Sequence, residues 1–113
     1  MTRITLTTAE QRALQEFAQY LQLHFTKQVK RIALFGSKAR GDSGRDSDID
    51  VLIILASEDR PLRREILKQA ARLSLKYDVL LSPRVIGVER WEQMQGFSLY
   101  QNVQREATRL PIV

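Results

Sequence analysis

The chain has 113 residues, a hydrophobic content of 43% and no cysteine. These values fit one domain, 1–113, with a packed core, and they exclude a disulfide framework or a thiolate metal site. A formal net charge of +5 favours anionic partners without choosing among nucleotide, nucleic acid and an acidic protein surface.

The start, Met1 to Thr5, does not read as a signal peptide. Thr7 and Glu10 have the spacing of a capping box. Leu14, Phe17, Ala18, Leu21 and Phe25 then recur at helical spacing, which predicts a sheet-covering helix over 9–26. His24 is the one histidine; with no second histidine or cysteine to build a soft-metal site, it reads as a surface or boundary residue. Lys27 to Lys30 forms a basic turn. Arg31 to Phe35 is a short apolar run closing on Gly36, the pattern of a buried strand that ends in a tight turn. Ser37, Lys38, Ala39 and Arg40 favour a helix. Its first N–H groups would face an anion, with the Ser37 hydroxyl as a further donor and Lys38 and Arg40 adding positive charge. Asp42 to Ser47 is a polar, turn-rich loop.

Val51 to Leu55 is unbroken apolar, the pattern of a strand buried on both faces. It is also part of the longest aliphatic run, Val51 to Ala56, which is too short to cross a bilayer; a cytoplasmic protein without membrane contact is expected. Alternation along the strand puts Asp48 and Asp50 on one face and Ile49 on the other. Adjacent carboxylates repel each other. A magnesium ion, which prefers carboxylate, phosphate and water oxygens, would offset that cost.

Pro61 suits the first turn of a second long helix, with Leu62, Ile66, Leu67, Ala70 and Leu73 facing inward. Arg60, Arg64, Lys68, Arg72 and Lys76 recur every four residues outside, as a solvated face or a contact for RNA or an acidic partner. Tyr77 to Leu81 reads as a third strand carrying Asp78, an acid beside an apolar run, with the rival reading that Asp78 ends the helix-to-strand turn. Ser82 to Gly87 reads as its continuation or an edge, where Pro83 is tolerable. Glu89 to Met94 predicts a short helix packed by Trp91. Leu99, Val103, Ala107 and Leu110 predict a last helix ending before Pro111.

Three familiar motifs fail on the central stretch. Gly36 and Gly41 have P-loop spacing, but Asp42-Ser43 stands where Lys-Ser/Thr is required. Asp46, Asp48 and Asp50 begin like a calcium loop, yet Val51 replaces its glycine and Ser57 its terminal glutamate. The Gly-x-Gly spacing of a dinucleotide fingerprint is absent.

What remains is Gly36-Ser37, ten intervening residues, then Asp48-x-Asp50. This string resembles the signature of the DNA polymerase β-like nucleotidyltransferase superfamily. Gly36 to Gly41 and Ser47 to Ile53 are similar to its minimal nucleotidyltransferase branch. The resemblance implies an α/β (α+β) fold, a small mixed sheet flanked by helices. It implies that Asp48 and Asp50 bind two Mg²⁺ ions with a third carboxylate on a neighbouring strand, for which Asp78 is the match. It implies that Gly36 and Ser37 hold the phosphates of ATP, with Lys38 or Arg40 stabilising the departing pyrophosphate. It further implies an antitoxin that transfers AMP to a tyrosine of a HEPN-domain toxin in a hetero-oligomer, a reading that suits a chain too short to bind an acceptor with a further domain. Phe97 to Glu106 also resembles the branch's terminal helix, except that Ala107 replaces a frequent glycine. Two other readings stand beside this one. The chain could inhibit its partner by binding alone, or it could transfer nucleotides to RNA or to a small hydroxyl compound. Nucleic acid is the less favoured partner.

Overall fold

The structure, a computed structural model, describes residues 6–40, 48–106 and 108–109. The expected Asp42 to Ser47 loop, the start Met1 to Thr5, and Ala107 and Leu110 of the expected last helix lie outside the described residues.

Helix α1, Thr8–Phe25, begins at the expected capping box. The Thr7 hydroxyl accepts from the Glu10 N–H at 3.1 Å, and the Glu10 carboxylate accepts from the Thr7 N–H at 2.9 Å. Strand β1, Val29–Phe35, is followed by α2, Ser37–Arg40, and by β2, Ile49–Leu55. Strands β1 and β2 pair antiparallel, with Phe35 opposite Asp50. Helix α3, Arg60–Tyr77, then crosses to β3, Leu81–Gly87, which lies parallel to β2. A parallel neighbour requires such a crossover. Helix α4, Val88–Gln93, and helix α5, Ser98–Glu106, lead to the two-residue strand β4, Thr108–Arg109, antiparallel to β1. The sheet order is β3-β2-β1-β4.

The apolar run of β2 is explained by cover on both faces. Ile49, Val51, Ile53 and Leu55 pack with Phe17 and Leu21 of α1 and Ile66 and Leu73 of α3. Leu52 and Ile54 pack with Trp91 of α4 and Val103 of α5. Burying one such aliphatic side chain contributes roughly 1.5–3 kcal/mol, so this strand anchors the sheet that carries the site.

Four expectations require correction. The third strand begins at Leu81 rather than Tyr77, because the helical stripe of α3 continues through Leu73 to Tyr77. Asp78 ends that helix in the left-handed region at φ 53°, and its N–H donates to the Ser74 carbonyl. Aspartate visits this conformation more readily than most residues. Leu67, expected inside, is 43% exposed, and Gln69 is buried in the helix instead. Helix α5 stops at Glu106, and Thr108 and Arg109 pair with β1 rather than continuing the helix.

β3 is an edge strand, and its open side is largely closed off. The Leu81 N–H donates to the Ser74 hydroxyl at 3.0 Å and the Gly87 N–H to the Glu58 carboxylate at 3.0 Å. Pro83 between them has no N–H to offer. These are devices that keep an edge from recruiting another strand. They also explain why a proline and the exposed Arg84 sit inside a strand.

Candidate active site

Two elements bring the central motif together. Phe35 faces Asp50 across the β1–β2 ladder, so the chain turns at Gly36 directly beside the Asp50 carboxyl group. Gly36 has φ +78°, and a Cβ placed on it would lie 2.3 Å from the Asp50 Oδ2. Only glycine permits both that backbone conformation and that approach. The turn that opens α2 is therefore packed onto the acid that opens β2. Twelve residues separate Ser37 from Asp50, the motif's ten plus Asp48 and Ile49, and the antiparallel register is what closes the gap.

Asp48 is exposed and stands immediately before β2, while Asp50 is half-buried as the strand's second residue. Ile49 between them is fully buried towards α1 and α3. Alternation then places Asp48 and Asp50 on the opposite face. The donor set is two oxygen-bearing side chains next to the turn at Gly36. That chemistry fits magnesium, which takes one or two carboxylates and completes its shell with phosphate and water oxygens.

The other expected site residues divide. Ser37 and Arg40 are the first and last residues of α2. This helix has four residues, so an anion would be held by the N–H groups of the turn more than by a macrodipole, which needs aligned peptides to accumulate. Lys38 is buried, and its ammonium pairs with Glu10 of α1 at 2.8 Å, with side-chain exposures of 2% and 6%. The pair ties α2 to the start of α1. Asp78 is exposed at the end of α3, and the residue opposite Asp50 on β3 is Ser82. Among the described residues no three carboxylates or histidines gather closely enough to hold a metal ion. The structure brings Gly36 and Asp50 together, and among the described residues Asp78 forms no three-ligand group with Asp48 and Asp50.

Two residues beside the site were missed. Glu10 was legible as a capping residue, but its second bond, to Lys38, depends on tertiary packing. Ser82 became visible only with the register of β3. The basic series on α3 is also less uniform than its spacing implies. Lys76 pairs with Glu16 of α1 at 3.1 Å and Arg72 approaches it at 4.0 Å. The Tyr77 hydroxyl donates to Glu16 at 2.6 Å. That hydroxyl first, and Lys76 next, hold the Glu16 carboxyl below its ordinary 4.5. His24 is exposed and stacks near Tyr20, as a surface residue should.

Residues 13–99 match the nucleotidyltransferase domain family. The chain belongs to that family. Two proteins of Methanocaldococcus jannaschii, each named "putative protein adenylyltransferase", are similar to it. One is 42% identical over 73 residues, covering 62% of this chain and 72% of that protein. The other is 34% identical over 97 residues, covering 86% and 93%. Among solved structures, a "putative minimal nucleotidyltransferase" superposes with a TM-score of 0.60 at 25% identity, covering 94% of this chain and 99% of the other. A toxin–antitoxin with AMP-PNP gives 0.58 at 21% identity, covering 95% and 75%. A toxin–antitoxin named MntA-HepT gives 0.53 at 20%, covering 91% and 73%. At these identities the two toxin–antitoxin structures establish the nucleotidyltransferase fold alone. Among the described residues no helix is long and apolar enough to cross a membrane.

Proposed function

We propose that this nucleotidyltransferase is a protein adenylyltransferase that moves AMP from ATP to a hydroxyl of a partner protein, the partner being a HEPN-type toxin. The observation that carries the reading is the Gly36 turn packed against the Asp50 carboxyl group. It sets a phosphate-holding bend beside metal-binding oxygens in one step of the chain. The names of the M. jannaschii relatives support protein as the acceptor class, and the toxin–antitoxin neighbours support the kind of partner.

Asp48 and Asp50 would hold magnesium, one ion or the expected two. Bound magnesium supplies charge neutralisation for the triphosphate and the leaving pyrophosphate. The N–H groups of the Gly36-Ser37 turn orient the phosphates, with Ser37 and Arg40 on α2 as further donors. Lys38 holds α2 in place from behind. The acceptor oxygen bonds to the α-phosphorus, the bond from that phosphorus to the bridging oxygen of the β-phosphate breaks, and pyrophosphate leaves. The acceptor's proton passes to a carboxylate or to water. Positioning and charge stabilisation supply most of the rate in such transfers.

Among the described residues no third carboxylate gathers with Asp48 and Asp50 to act as base. A phenol, which ionises near ~10, needs far less help to lose its proton than an alkyl hydroxyl. Tyrosine is therefore the acceptor that this site fits best. The same feature favours a second reading, in which the chain silences its partner by binding and the chemistry is dispensable.

Incubation with magnesium, ATP labelled at the α-phosphate and the protein encoded beside this chain separates the two. Label on a tyrosine of that protein, lost in Asp48→Asn/Asp50→Asn, is the expected result. A double variant that neutralises the partner fully, with no label transferred by the wild type, overturns transfer in favour of binding.

A further inference from the structure

The edge of the sheet next to the site carries a groove of about 400 Å³ that none of the chemistry above uses. It is lined by Arg63 and Leu67 of α3, by Pro83 to Ile86 of β3, and by Arg90, Met94 and Leu99 from the α4–α5 side. Arg63, Arg84 and Arg90 are all exposed, and none forms an ion pair among the described residues. The floor between them is aliphatic, and Leu67 is the residue that departs from the inner stripe of α3 to reach it.

The groove runs straight from the site. Ser82 lies opposite Asp50 and Arg84 opposite Leu52. Residues two apart on a strand share a face, so Asp50, Ser82 and Arg84 are on one side of the sheet. Arg84 stands one residue pair, roughly 7 Å, along the strand from the Asp50 row. A segment lying in the groove would pass within reach of the metal-binding acids.

We infer that this groove docks an acidic, aliphatic-bearing segment of the acceptor protein and so delivers the acceptor hydroxyl to the site beside Asp50. The inference rests on the reading that the acceptor is a protein. Charge complementarity names the occupant: planar guanidinium groups bind carboxylates in pairs of parallel hydrogen bonds. The aliphatic floor asks for Leu- or Ile-like side chains between the acids. RNA is the less suitable guest, since a single strand is usually held by stacking on aromatic faces and the lining contains none. Strand addition is also disfavoured, because Pro83 lacks a donor and the N–H groups of Leu81 and Gly87 are already engaged. The contact is read through side chains.

The test uses the full chain with Mg-ATP, a fluorescein-labelled (Glu-Leu)6 peptide and a twelve-nucleotide oligoadenylate, followed by fluorescence anisotropy and by amide shifts of the ¹⁵N-labelled protein. Wild type should bind the peptide, with shifts centred on residues 83–94. Arg63→Glu/Arg84→Glu/Arg90→Glu should weaken it at least tenfold while changing Mg-ATP affinity less than twofold. Arg84→Gln alone, a milder change, should weaken the peptide about threefold and serves if the triple variant is unfolded by circular dichroism. Equal peptide affinity in wild type and variants overturns the inference. So does tighter binding of oligoadenylate than of peptide at the same residues, or a loss of Mg-ATP affinity that would assign the groove to the nucleotide. Peptide binding can fail while protein labelling persists, so the two readings fail separately.

Discussion

Removing one half of the Lys38–Glu10 pair is the most demanding stability experiment that the structure suggests. The ammonium and carboxylate are 2.8 Å apart and almost wholly enclosed. At an effective dielectric constant of about 20 their attraction is about 6 kcal/mol, and most of that offsets the cost of taking both charges out of water. The pair as a whole is therefore worth little against an apolar replacement, whereas losing one partner strands the other. Lys38→Met should cost about 3–5 kcal/mol, a large share of the ~5–15 kcal/mol typical of a domain. Glu10→Gln/Lys38→Met removes both charges and keeps a side chain able to serve the capping box, so it should recover to within about 1 kcal/mol of wild type. Urea unfolding followed by the fluorescence of Trp91, which is buried in the second core cluster, measures both variants. A Lys38→Met protein within about 0.5 kcal/mol of wild type, the range of ordinary surface substitutions, would refute the clamp.

Gly36→Ala should fold with a loss of at least ~1 kcal/mol from the left-handed backbone. It should also weaken Mg-ATP binding at least tenfold in calorimetry, since its Cβ collides with Asp50 Oδ2; unchanged affinity would contradict the packing of turn on acid. Asp78→Gly should leave Mg-ATP affinity unchanged and hold or raise stability by up to ~1 kcal/mol, because glycine relieves the positive φ; a tenfold loss of metal affinity would restore Asp78 as a ligand. Glu16 is held below 4.5 chiefly by the Tyr77 hydroxyl, so its small contribution is present above that value and is lost as pH falls through the depressed folded value. Carboxyl NMR titration of Tyr77→Phe should find the Glu16 midpoint moved up, and an unmoved midpoint would contradict the hydrogen bond as its cause.

Periodicity and turn chemistry made much of the fold legible. The capping box at Thr7 and Glu10, the helix over α1, and the twice-covered strand β2 are local patterns with local causes. The site was legible in part for the same reason: Gly36, Asp48 and Asp50 sit on or beside elements whose ends the sequence marks. What escaped was tertiary. Asp78 sits where a helical stripe and a strand-like run compete, and Leu73 and Tyr77 packing against the core decided for the helix. Lys38 reads as a phosphate ligand on its own helix, and only the approach of α1 turns it into a buried partner of Glu10. Register is likewise invisible in a strand's residues, so neither Ser82 beside Asp50 nor the arginine groove beyond it was expected.

The central claim is that metal and triphosphate meet at the Gly36 turn and the Asp48–Asp50 pair. Manganese titrated with a non-hydrolysable ATP analogue into ¹⁵N-labelled protein tests this directly, because the paramagnetic ion broadens only nearby amides. Broadening centred on residues 36–40, 48–50 and 82, and lost in Asp48→Asn/Asp50→Asn, is the predicted outcome. Broadening centred on Glu16, or unchanged in the double variant, would contradict it.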